Sequence, residues 1–273
     1  MTEEALVASS SGQLEDVLSN TIVSSDTIYS LTINFPVTAS TFVMISTSEL
    51  GAALHSLEIS FDPDELRDCE NATIDTSKVN FPVLKKFHVI SQSIQSITFL
   101  AARFPLLEDL TIEQPNNHPQ KFELDLPNLR TLHFDHIYVA DARKFGSSLS
   151  KCPKLECFCS YKLWGLGCLR EHVIIAPNLR DWEMQRSDDL EGLAFWAPSL
   201  QAIRFKSCNE LNMVHLMDKL PSGNWGPEYQ FNGEPSTYDV SFYCVDLPNC
   251  QGNLLRNKRC GDISDDMDDF QIF

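Results

Sequence analysis

The segment Phe104–Ile112 reads FPLLEDLTI, and its pattern recurs along the chain: a proline, a leucine two residues later, and then apolar residues at alternating positions. The clearest later copies are LPNLRTLHF at 126–134, CPKLECF at 152–158, APNLRDWEM at 176–184 and APSLQAIRF at 197–205. Three earlier copies, of which the last two lack the proline, are Leu84 with Phe87 and Val89, Leu54 with Leu57 and Ile59, and Ile28 with Leu31 and Ile33.

The spacing of these segments identifies the kind of repeat. The first apolar position falls at 28, 54, 84, 107, 129, 155, 179 and 200, so nearly all of the intervals between successive copies lie in the twenties. Leucine-rich repeats have periods of about 20 to 29 residues, whereas ankyrin, tetratricopeptide and HEAT units are longer. The chain is therefore predicted to be an α/β leucine-rich-repeat solenoid, a curved horseshoe built from about eight repeats.

Each copy has the alternation of a short strand with one buried face. Parallel stacking of these strands would join their apolar side chains into one continuous core, with the strands on the concave side. A proline just before the strand leaves the ladder of hydrogen bonds intact. The convex return segments are predicted to be short helices or turns, with apolar stripes at helical spacing in four segments. These segments are 48–54, 94–104, 141–151 and 189–196.

Three regions follow from this pattern: an N-terminal cap at 1–25, the repeats at 26–220, and a C-terminal cap with an acidic tail at 221–273. In the first, Ser10 and Gln13 have the spacing of a capping box, which predicts a helix over 10–19. In the last two regions we expect a helix over 213–220, a loop over 221–235 and an edge strand through 238–244. The acidic tail begins at Asp262.

Composition restricts the classes of partner. The 273 residues include 38 acidic and 21 basic side chains, a formal net charge of −17, and no dense run of basic residues. Such a chain repels phosphate backbones, so no nucleic-acid partner is predicted. No apolar run is long enough to span a membrane, and the N-terminus does not have the form of a signal peptide. The nine cysteines are odd in number and lie mostly in apolar patterns, so they are expected to be reduced, in the cytoplasm or nucleus.

The repeats resemble those of F-box/LRR proteins. The segment APSLQAIRFKSC places Cys208 three residues after Phe205, which is similar to the cysteine-containing subtype of these repeats. The resemblance implies a protein-recognition role and, in F-box members, substrate selection within a ubiquitin ligase. Only about 25 residues precede the first repeat, too few for an F-box, so a ubiquitin-ligase adaptor would have to be reached through a separate chain.

The residues between the buried positions of each strand are predicted to point into the concave face, because side chains alternate along a strand. Carboxylates outnumber cations on this face, so the expected partner is a protein or peptide with a basic segment. The predicted binding residues are Glu58, Lys86, His88, Asp109, Thr111, Glu113, His133, Asp135, Tyr161, Asp181, Glu183, Gln185, Arg204 and Lys206.

No catalytic residue, cofactor or metal site is predicted, and the protein is expected to be a non-enzymatic interaction module. His133 and Asp135 share a strand face, but His136 would point inward, which is unsuitable for three metal ligands. Cys157 and Cys159 have neither redox nor zinc spacing. Two alternatives stay open: an enzyme or enzyme regulator that uses the concave face, and a degenerate structural repeat protein.

Overall fold

The computed structural model describes residues 2–61, 78–90, 96–114, 119–211, 213–216 and 241–245. Its helices are α1 (Ser11–Asn20), α2 (Ala39–Thr47), α3 (Glu49–Ala53) and α4 (Ala142–Ser150). Its strands are β1 (Thr2–Ala8), β2 (Thr27–Val37), β3 (Leu54–Phe61), β4 (Lys86–Ile90), β5 (Ser96–Leu100), β6 (Asp109–Glu113), β7 (Pro119–Asp125), β8 (Thr131–Val139), β9 (Cys157–Trp164), β10 (Cys168–Ile175), β11 (Asp181–Gln185), β12 (Gly192–Trp196), β13 (Ala202–Lys206), β14 (Met213–Leu216) and β15 (Ser241–Val245).

The fold is α/β, with a large all-parallel sheet and few short helices, as in a solenoid. Within the described residues, this main sheet has twelve strands, of which ten follow one another in the order β1-β2-β3-β4-β6-β8-β9-β11-β13-β15. The other two, β5 and β7, join it where β7 pairs with the end of β8. The repeat positions deduced from the sequence pair directly: Leu110 lies opposite Phe87 on one side and Leu132 on the other. The predicted parallel ladder, with one strand for each copy of the pattern, is confirmed.

The return segments form a second layer in which strands outnumber helices. Strand β5 pairs with β7 in parallel. Strand β12 lies between β10 and β14 and pairs with both of them in parallel. Helix α4 packs against β7 and β10. The helices predicted within 48–54 and 141–151 are present as α3 and α4. The helices predicted over 94–104, 189–196 and 213–220 are wrong, because these segments contain the strands β5, β12 and β14.

Repeat length explains which returns are helical. Two of the longer intervals between repeats, from 28 to 54 and from 129 to 155, contain α2 with α3 and α4 respectively. The shorter intervals, which begin at 84, 107, 155 and 179, contain the return strands β5, β7, β10 and β12. A strand advances about 3.3 Å per residue and a helix about 1.5 Å, so a helical return needs more residues to cover the same distance. An apolar stripe in the sequence does not show whether a return segment has enough residues to be helical.

The prolines of the pattern occupy a recurring four-residue turn. Leu129, Leu155 and Leu179 each donate their N–H to the carbonyl three residues earlier, at 3.0 to 3.1 Å, with the proline as the second residue of the turn. Proline suits this position because its fixed φ matches the turn. The amides of Asn128 and Asn178 also donate to the proline carbonyl of the preceding repeat, at 2.7 and 2.8 Å.

The core runs continuously through the stack. Leu110, Leu132 and Ile203 are fully buried and belong to one hydrophobic cluster, as the repeat pattern requires. Stacked aromatic rings extend along it, and the rings of Phe158 and Trp182 are 4.1 Å apart. In the first repeat Tyr29 takes the buried position predicted for Ile28, because the β2–β3 register shifts after Tyr29.

The ends agree in part with the prediction. Helix α1 begins after Ser10, whose hydroxyl accepts from Gln13 N, while Gln13 Oε1 accepts from Ser9 N. The additional strand β1, paired with β2, and helix α2 were not predicted. The predicted edge strand is present as β15, beside β13. The predicted loop at 221–235 and the tail from Asp262 lie outside the described residues.

Ser160 stands at a core position, with its backbone paired to Phe134 and Met184, and its hydroxyl has no hydrogen-bond partner among the described residues. A buried, unpaired hydroxyl costs about 1 kcal/mol or more. We therefore expect Ser160→Ala to raise the free energy of unfolding by about 1 kcal/mol in urea titrations. Ser56→Ala, at a half-buried position of the opposite sheet face, is the control, and equal effects of the two variants would contradict this reading.

Candidate functional site

The candidate site is the side of the main sheet that faces away from the core, here called the polar face. It carries the outward-facing side chains of β3, β4, β6, β8, β9, β11 and β13. All fourteen predicted binding residues lie on it, half-buried or exposed. Because the strands pair in register, equivalent residues form rows across the sheet. The central row is Glu58, His88, Thr111, His133, Cys159, Glu183 and Arg204.

An acidic cluster surrounds His88 in one half of the polar face. His88 Nε2 lies 2.9 Å from Glu113 Oε1, and Nδ1 lies 3.5 Å from Glu58 Oε1. The hydrogen bond to Glu113 raises the pKa of His88 above its ordinary value, although burial opposes it. The same bond lowers the pKa of Glu113. One imidazole therefore lies between two carboxylates, so the cluster stays negatively charged even when His88 is protonated.

Asp109 and His133 adjoin this cluster, and burial is the largest cause of the pKa shift of each residue. Burial raises the pKa of Asp109, although the charge of Lys86 opposes it. Burial also lowers the pKa of His133, although Asp135 and Glu113 oppose it. The neutral imidazole of His133 therefore adds no positive charge to this half of the face near pH 7.

The other half of the polar face contains paired charges. Arg204 Nη1 donates to Asp181 Oδ1 at 3.1 Å, and the amide of Gln185 donates to Glu183 Oε1 at 2.7 Å. Lys206 is exposed at the end of β13. Ala202, also placed on this face by the strand alternation, is 6% exposed. This half is closer to electrical balance than the cluster around His88.

The two cysteines on the polar face are poor nucleophiles. Burial raises the pKa of Cys157 to about 11 and that of Cys159 to about 12. Both are thiols near pH 7, whereas nucleophilic catalysis needs the thiolate. The four cysteines whose side chains the structure describes, Cys152, Cys157, Cys159 and Cys208, form no disulfide. Cys208 is buried and donates to the carbonyls of Met184 and Lys206, which agrees with a thiol that fills the turn after the strand.

Sequence analysis missed a row of residues at the carboxyl ends of the strands, and its expectation that His136, one of them, points inward is wrong, because the His136 side chain is 29% exposed. His136, Lys162, Arg186 and Ser207 occupy equivalent positions in four successive repeats, each one residue after an outward-facing residue. All four have a left-handed backbone, with φ between 52° and 55°. Their spacing along the chain follows that of the repeat. Aligning the copies beyond their last apolar position would have revealed them.

Within the described ranges, no group of three or more His, Cys, Asp or Glu side chains is arranged to hold a metal ion. No helix in those ranges is both long enough and apolar enough to cross a bilayer.

Comparisons of the chain with models of protein families, with curated proteins and with solved structures found no match. The function of the polar face is therefore inferred from its geometry and charge.

The His88–Glu113 pair predicts a pH-dependent contribution to stability. The raised pKa of His88 gives stability that is complete below pH 6.5 and is lost as the pH rises through the folded-state value. The lowered pKa of Glu113 gives stability that is complete above pH 4.5 and is lost as the pH falls through its folded-state value. Both contributions are therefore present between these two limits.

We expect His88→Gln to lower the free energy of unfolding by about 0.5 to 1 kcal/mol within that window, because the pair is partly exposed. The loss should shrink at pH 8 and at pH 3. Urea titrations across this range measure it, and the variants Glu113→Gln and His88→Gln/Glu113→Gln complete a double-mutant cycle that isolates the pair. A loss that does not vary with pH would contradict the assignment.

Proposed function

We propose that the protein is a leucine-rich-repeat horseshoe that recognises another protein without catalysis, and that the polar face is its concave binding surface. The observation that supports this most strongly is the arrangement of the outward side chains in rows on adjacent parallel strands, about 4.8 Å apart. Solenoids of this kind form extended binding surfaces, and side chains held by strands are well ordered before a partner arrives.

Charge indicates the chemistry of the partner. The polar face carries six carboxylates, which are Glu58, Asp109, Glu113, Asp135, Asp181 and Glu183. Three permanent cations share the face, namely Lys86, Arg204 and Lys206. The excess lies around His88, where Glu58 and Glu113 share one imidazole and Asp109 makes no side-chain hydrogen bond or ion pair with a described residue. A basic segment that crosses β3, β4 and β6 would supply the missing counter-charges.

The partly buried setting of these carboxylates also favours binding. Burial raises the pKa of Asp109, so its charged form is under-solvated in the free protein. A lysine or arginine from a partner would restore that stabilisation at little further desolvation cost to the aspartate. Complementary charge of this kind contributes to specificity and to the association rate.

Membership of a ubiquitin-ligase-type assembly remains a proposal that rests on the resemblance of the repeats alone. Capture of the full chain from cell extract, with identification of the bound proteins, tests it. Recovery of a cullin-adaptor chain would support a substrate-selecting role, and its absence would leave a recognition module outside such assemblies.

The proposed binding of a basic segment is tested with a fluorescein-labelled peptide of ten residues in which lysine alternates with serine. We expect Glu58→Lys/Asp109→Lys to weaken binding at least tenfold in fluorescence anisotropy, because two attractive contacts, on β3 and β6, become repulsive. Tenfold corresponds to about 1.4 kcal/mol, or about 0.7 kcal/mol for each site, within the range of exposed charge pairs.

The matched control is Glu15→Lys/Asp16→Lys, which makes the same change of net charge on exposed positions of α1. It should alter the affinity less than twofold at 0.15 M salt, where distant charges are screened. Equal weakening by both variants, or no binding by the unaltered protein, would overturn the proposal and favour a structural repeat protein without this ligand.

A further inference from the structure

The row of left-handed residues at the strand ends has an unusual composition. An L-residue at φ near +55° is strained by contact between its Cβ and its own backbone, at a cost of about 1 to 2 kcal/mol, which glycine avoids. Yet the positions at φ 55°, 54° and 55° are His136, Lys162 and Arg186. Side chains that could carry positive charge thus occupy backbone positions at which glycine would be more stable. Strain of this kind is commonly associated with a binding function.

The two permanent cations of this row are held against an aromatic side chain. Lys162 Nζ lies 5.1 Å from the centroid of the Tyr161 ring, and the guanidinium of Arg186 lies 5.5 Å from it. The His136 ring packs edge-on to Tyr161 and Trp164, at 5.4 and 6.2 Å. Cation–π contacts of this type fix the position of the charged groups without neutralising them.

The acidic groups near Lys162 and Arg186 do not neutralise the charges of these two side chains. Neither Lys162 nor Arg186 has a carboxylate oxygen from the described residues within 4 Å. Asp135 is hydrogen-bonded to His136 Nδ1, and Lys162 Nζ donates to His136 Nε2 at 2.8 Å. Of the acidic groups that follow β11, Asp188 accepts from Asn209, and Asp189 accepts from the backbone N–H groups of Gly165 and Leu166.

Lys206 supplies the cation on β13, where Ser207 occupies the left-handed position itself. Arg186 N donates to Lys206 O at 2.8 Å, so the two residues lie side by side at the carboxyl ends of β11 and β13. Successive strands are about 4.8 Å apart, so the three cations on β9, β11 and β13 span about 10 Å. This length exceeds that of a single phosphate or carboxylate, so the occupant needs several anionic groups in series.

We propose that the cationic row, consisting of Lys162, Arg186 and Lys206, binds an acidic segment of a partner protein. The segment lies across the carboxyl ends of β9, β11 and β13, with its carboxylate or phosphate groups beside Lys162 and Arg186. Nucleic acid is disfavoured as the occupant, because the adjoining polar face and the net charge of −17 repel a continuous polyanion. The proposal does not depend on the binding of a basic segment to the polar face.

The experiment uses the full chain and two fluorescein-labelled ten-residue probes in fluorescence anisotropy, one alternating glutamate with serine and one alternating phosphoserine with serine. We expect saturable binding, with Lys162→Glu/Arg186→Glu weakening it at least tenfold and Lys162→Gln/Arg186→Gln about threefold. The control is Lys144→Glu/Lys151→Glu, an equal change of charge at exposed positions on and beside α4, which should alter the affinity less than twofold.

Circular dichroism confirms that each variant folds, and the glutamine variant tests the proposal if charge reversal prevents folding. The lysine–serine peptide should bind all cationic-row variants no more weakly than the unaltered protein, which separates this proposal from the one for the polar face. Preference for the phosphoserine probe identifies a phosphorylated source, and equal binding identifies a carboxylate-rich one.

Four results would overturn the proposal. The first is binding of neither acidic probe, and the second is equal weakening by the control. The third is at least tenfold tighter binding after removal of residues 262–273, which contain five aspartates, because the occupant would then be this chain's own tail. Tighter binding of a ten-nucleotide single-stranded RNA than of either peptide would also overturn it in favour of nucleic acid.

Discussion

In-register parallel pairing between successive repeats sets the positions of both the core and the charged surfaces. Each strand of the main sheet pairs with the equivalent strand of the next repeat, so a residue type at one position of the pattern recurs at the same depth in the fold. Buried leucines therefore meet leucines, and turn prolines lie beside turn prolines. A core with this regularity forms only while each copy keeps its register, because a slip of one residue would turn the whole apolar set toward solvent.

The same register arranges the charged groups. Glu58, His88 and Glu113 belong to three different repeats, yet their side chains meet because they occupy neighbouring outward positions. At the starts of the strands the register instead produces complementary neighbours, such as Arg130 beside Glu156 at 2.7 Å. The polar face is thus acidic around His88 and closer to balance around Arg204, while the cationic row lies at the carboxyl ends of the strands.

The two proposed surfaces fit one kind of partner. A basic segment over β3, β4 and β6 and an acidic segment at the ends of β9, β11 and β13 would dock in a single orientation, because reversing the partner would bring like charges together. Such opposed charges provide specificity more than affinity. The rigid strands favour this role, since the side chains need little reorganisation before they meet a partner.

The amino-acid sequence alone predicted the period, the strands of the repeat pattern, nearly all of their buried positions and their outward-facing residues, because a strand alternates strictly and a parallel stack repeats that alternation. It also identified helix α1 through the local hydrogen bond between Ser10 and Gln13. The three-dimensional fold was needed to establish that Gly192–Trp196 and Ser96–Leu100 are strands and not helices, since that choice depends on the distance a return must cover and on a neighbouring strand to pair with. It also decided that Lys162 and Arg186 lie beside Tyr161, because the left-handed turn that places them depends on backbone geometry that composition does not encode.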